Sequence, residues 1–152
     1  MTPRTVRVVS GSVPAATAAA NAGDAEGFAE AVGRLSTVDP ARVAVVLGWA
    51  VRMLLEELHP DGMDGEDLRG VLTACTTAAG TWESGVDPEV LLVVLTGALG
   101  MSDPDEQPAL PPEAVARNAV LLLAHLLGPR PPARYLDAAF AELQRAETIE
   151  MP

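Results

Sequence analysis

STVDPARVAVVLGWAVRM (residues 36–53) and SGVDPEVLLVVLTGALGM (residues 84–101) write one phrase twice, 48 positions apart and identical at nine of eighteen positions. The repeated elements are Asp39-Pro40 and Asp87-Pro88, each followed by an aliphatic run. An Asp in front of a helix accepts a hydrogen bond from one of the first backbone N–H groups, which lack partners inside the helix. Pro at the first helical position loses nothing by having no N–H, and its fixed φ suits the helix. Both stretches therefore predict buried helices, although the β-branched residues of 90–96 would also suit a strand.

Working outward, the Asp39 helix extends to about Leu58, with Val43, Val46, Leu47, Ala50 and Leu54 on one face; Gly48 reads as a close-packing point. Pro60 ends it. Before it, Asp24 caps a short helix carrying Phe28, Val32 and Leu35 at i, i+4 and i+7. Further helices follow over about 64–79, with Leu68, Val71, Leu72 and Cys75 inward, and over 87–101. Another covers 112–127, apolar nearly all round and so central. The last runs from Pro131-Pro132 to about Ala146, with Tyr135, Leu136, Ala139, Phe140 and Leu143 inward. Residues 1–22, rich in Thr, Ser, Pro and Ala, read as a mobile arm, and 149–152 as a short tail. The expected fold is all-α: a single irregular bundle of five to six helices over residues 23–148. The 48-residue echo raises the possibility of a duplicated two-helix unit, in which Arg69 falls on Arg117.

Composition supports this class. Hydrophobic residues are 49% and charged residues 20%, a globular balance. Aromatics at 3% leave the core to Leu, Val and Ala, which suits close-packed helices. There is no lysine, a bias resembling GC-rich bacterial genomes. With 21 acids against ten arginines the formal charge is −11, which argues against nucleic acid and anionic membrane surfaces as partners. No stretch reaches the ~20 apolar residues of a membrane-spanning helix. The first residues lack the continuous apolar core of a secretory signal, and a single Cys75 makes no internal disulfide, so the expected setting is the cytoplasm.

No catalytic set nominates itself. Gly-x-Ser-x-Gly, P-loop and dinucleotide-binding glycine patterns are absent, and no cofactor is implied. HPDGMDGED (59–67) concentrates acids, but an EF-hand counted from Asp61 puts Met63 and Gly65 where acids are required. It reads instead as a turn followed by an Asp64 helix cap. His59 and His125 are too few and too far apart for zinc, so no metal is expected. Cys75, among small residues with no cationic neighbour, reads as buried and inert. Trp49 and Trp82 read as packing residues. Asn118 and His125, seven apart and about 20° apart on the helical wheel, form a polar strip that suits a small-ligand or enzymatic pocket. Such a pocket would bring them together with Cys75, Tyr135 or Trp49.

Charge supplies the leading functional expectation. If consecutive helices run antiparallel, the loops after 58 and after 101 share one end. That end would carry Glu56, Glu57, Asp61, Asp64, Glu66, Asp67, Asp103, Asp105 and Glu106. Arg34, Arg42, Arg130 and Arg134 would lie at the other. Such an acidic pole suits a non-catalytic interaction or regulatory module that docks a basic protein partner. The apolar helices at 87–101 and 112–127 also offer a face for a homodimer.

Overall fold

A computed structural model describes residues 1–101 and 109–150, with side chains to Thr148. The described residues form seven α-helices and no strand: α1 (Pro3–Ala22), α2 (Ala25–Leu35), α3 (Pro40–Leu58), α4 (Gly65–Gly80), α5 (Pro88–Ala98), α6 (Pro112–Leu127) and α7 (Ala133–Glu150). None is long and apolar enough to cross a membrane. The repeated phrase does the same thing in both places. An Asp39 carboxylate oxygen accepts from the Ala41 N–H at 3.0 Å, and one from Asp87 accepts from Glu89 at 3.0 Å.

The mobile arm is a misreading. Residues 3–22 are a helix, begun by Thr2, whose hydroxyl accepts from the Thr5 N–H, and by Pro3 in its first turn. Thr5, Val9, Ser12, Val13, Ala16 and Thr17 are buried along one stripe. The helix continues through an internal Pro14, and its small side chains let it lie close along α2 and α6. Gly23 ends it at φ 66°, a left-handed conformation for which glycine carries no penalty. At the other terminus α7 continues to Glu150, so the tail expected from 149 is helical at least that far.

The central helix is α6, as its all-round apolarity requires. Residues 118–124, 126 and 127 are buried, and α1, α2, α3, α4 and α5 all touch it. The antiparallel α3 and α7 brace this core. Glu57 near the end of α3 meets Arg134 at the start of α7, and Arg42 at the start of α3 meets Glu147 near the end of α7. The Met1 ammonium joins that second cluster at 3.0 Å and is the main reason the Glu147 carboxyl is held below its usual range.

Sequence neighbours are often not spatial neighbours. The main partners of α3 are α6 and α7, whereas α4 leans on α6 and α5. The echo therefore does not extend to packing: α4 buries Cys75 and Ala79, while α6, its counterpart in the other copy, buries nine residues. Gly48 is not a close-packing point either. A β-carbon there would meet nothing within 4 Å, and the residue opens onto a groove between α3 and α5.

Candidate functional site

The α3–α4 junction holds the described part of the expected acidic pole. Its local structure follows from capping. The Asp64 carboxylate accepts from the Asp67 N–H at 2.8 Å, and Asp67 returns a bond from the Asp64 N–H at 3.0 Å. This reciprocal cap satisfies two N–H groups at the start of α4. The Asp67 N–H holds the Asp64 carboxyl below its usual range. Asp61, Asp64 and Glu66 are exposed and Asp67 is half-buried.

The pole is smaller than the sequence implied. Arg130 and Arg134 do not lie at the far end but at this one, because α7 returns antiparallel beside α3. Arg134 pairs with Glu57 at 2.5 Å and Arg130 approaches it at 3.9 Å. The Tyr135 hydroxyl donates to the same carboxylate at 2.6 Å. Glu56 is paired with Arg52 one turn earlier on α3, at 3.1 Å. Among the described residues, Asp61, Asp64, Glu66 and Asp67 have no cationic partner. Asp103, Asp105 and Glu106 lie outside the described residues.

Asn118 and His125 do not share a pocket. Asn118 is fully buried. Its side-chain oxygen accepts from the Asp87 N–H at 2.9 Å, and its amide donates to the Ala114 carbonyl at 2.9 Å and the Gly85 carbonyl at 3.5 Å. It therefore clamps the start of α5 to α6. Their closeness on the helical wheel was real, but two full turns of α6 separate them.

His125 instead sits at the rim of a different cleft, of about 450 Å³, formed where α1, α4 and α6 end. Asn21, Cys75, Thr81 and Trp82 also line it, whereas Tyr135 and Trp49 do not. Trp82 and Phe28 pack nearly perpendicular to one another, with ring centroids 5.2 Å apart, and the Asn21 amide donates to the Gly128 carbonyl at 2.9 Å. The expectation of a buried Cys75 matches its place in the core. Burial pushes its thiol pKa up to about 11, which leaves little thiolate near neutral pH.

Desolvation lowers the His125 pKa from its ordinary 6.5, although a helix C-terminus by itself favours imidazolium. An NMR titration of the ring is expected to give a midpoint below 6.5. Because protonation is easier in the unfolded chain, this residue's contribution to stability is fully present above about pH 6.5 and is lost as pH falls from there through the lower folded midpoint. No group of three His, Cys, Asp or Glu suited to a metal occurs among the described residues. Compared with protein-family models, curated proteins and solved structures, the chain matches none.

Proposed function

We propose that the protein is a non-catalytic interaction or regulatory module that docks a basic protein partner through the α3–α4 junction. The observation carrying this reading is the contrast within one end of the molecule. Glu56 and Glu57 are paired with arginines, while Asp61, Asp64, Glu66 and Asp67 form an acidic surface with no salt bridge among the described residues, the Arg69 guanidinium lying beside Gly65 without pairing to them. Two of these acids cap α4, so their positions are fixed before any partner arrives. A preset charged surface of this kind accelerates encounter with an oppositely charged protein.

The test begins with capture of the partner from the native host at low salt and its identification. Asp61→Lys with Glu66→Lys, which leaves both capping carboxylates intact, is then expected to slow association about tenfold and flatten its salt dependence. An unchanged association rate would remove the proposal. A homodimer is a narrower option than the sequence suggested, since α6 is interior. Its available face is the α3–α5 groove lined by Val45, Trp49, Val93 and Val94. A second functional reading, a small-ligand-binding domain, is favoured by the cleft at His125 in place of the Asn118–His125 pair.

A further inference from the structure

We propose that the cleft bounded by the last turns of α1, α4 and α6 binds a small organic ammonium ion against Trp82. This rests on the second reading, that the cleft is a ligand site.

Three helix C-termini meet there: residues 20–23 end α1, residues 78–82 end α4, and Ala124, His125 and Gly128 end α6. Each helix end carries carbonyls without intrahelical partners and a partial negative charge. Gly23, Asp24, Trp82 and Glu83 close some of these carbonyls through their N–H groups, and Asn21 takes that of Gly128. No hydrogen bond reaches the Asn21 and Ala22 carbonyls among the described residues. Neither α1 nor α4 has a basic residue in its last turn to offset its dipole. Arg130 offsets only α6, donating to the Leu126 and Leu127 carbonyls, and does not line the cleft.

The lining holds no Arg, Asp or Glu, and the helix ends, with Asp24 and Glu83 next in sequence to Gly23 and Trp82, give the cleft a negative field. That field disfavours an anion. The absence of a multidentate oxygen or nitrogen cluster among the described residues disfavours a metal. Trp82 lines the cleft, and an indole is the best side-chain partner for an alkylammonium. Partial burial keeps the His125 pKa below its ordinary value, and its neutral ring nitrogen can accept a hydrogen bond from an N–H or hydroxyl group of the ligand. A volume near 450 Å³ falls within the range of small-molecule sites.

Choline and its uncharged isostere 3,3-dimethylbutan-1-ol separate charge from shape. In a Trp49→Phe chain, where Trp82 is the sole tryptophan, choline is expected to change the fluorescence saturably, and the isostere to bind at least tenfold more weakly. In the unaltered chain, choline should shift backbone amides within 20–23, 78–82 and 124–128. Trp82→Leu should weaken binding at least tenfold; because Trp82 also packs on Phe28, the amide map keeps the test decisive if that variant unfolds. Equal binding of the two probes would overturn the ammonium assignment while keeping a ligand cleft. Binding of neither would sink both. Shifts confined to 61–67 would show counter-ion attraction to the acidic surface and would likewise overturn the proposal.

Discussion

Removing residues 1–22 is expected to abolish cooperative thermal unfolding, followed by circular dichroism, and to leave an aggregation-prone chain. A dispensable arm would leave the transition in place. The reason is the stripe Thr5, Val9, Ser12, Val13, Ala16 and Thr17, all buried. Burying one valine side chain contributes roughly 1.5–3 kcal/mol. The deletion removes two buried valines and also uncovers the faces of α2 and α6 that α1 covers. The combined loss is on the order of 5 kcal/mol or more, against a typical total stability of about 5–15 kcal/mol. A truncated protein melting within about 2 °C of the full chain would show that α1 is not part of the core.

Asn118→Leu is expected to lower stability by roughly 2–3 kcal/mol, because the Asp87 N–H then loses its acceptor inside the protein. For a domain of this size, that corresponds to a fall in melting temperature of about 5–10 °C. Asn118→Asp provides the complementary measurement. A carboxyl at this fully buried position is disfavoured when ionised, so its folded pKa rises above the unfolded value. The folded state then holds the proton more tightly, and the variant should gain stability relative to the unaltered chain as pH falls through the raised pKa toward 4. If Asn118→Leu melted like the unaltered chain, the clamp between α5 and α6 would carry no weight.

Much of the fold was legible because helix starts are local chemistry. Asp24, Asp39, Asp64 and Asp87 each cap the helix expected after them, and α6 is as central as its composition demanded. The first helix carries the same signal, Thr2 before Pro3, and a buried stripe at helical spacing. It was obscured because the stripe is made of Thr, Ser and Ala as much as Val, and because Pro14 usually breaks helices. Small side chains reveal their value only when a neighbouring helix lies close enough to use them.

The candidate sites depended more on tertiary structure. Wheel angle placed Asn118 beside His125, but axial distance and the arrival of residues 85–87 gave them separate roles. The charge map changed for a similar reason: α3 pairs with α7 instead of its sequence neighbour, so Arg130 and Arg134 reach Glu57. Nothing in the sequence near Ala22, Thr81 or Gly128 announces that three helix ends converge. The chain by itself determined where helices begin, which residues avoid water and how acidic the surface is, since these follow from capping, burial preference and charge. Which helices lie side by side, which acids meet an arginine and where a cleft opens were decided only by packing, because those properties depend on distances between residues far apart in the chain.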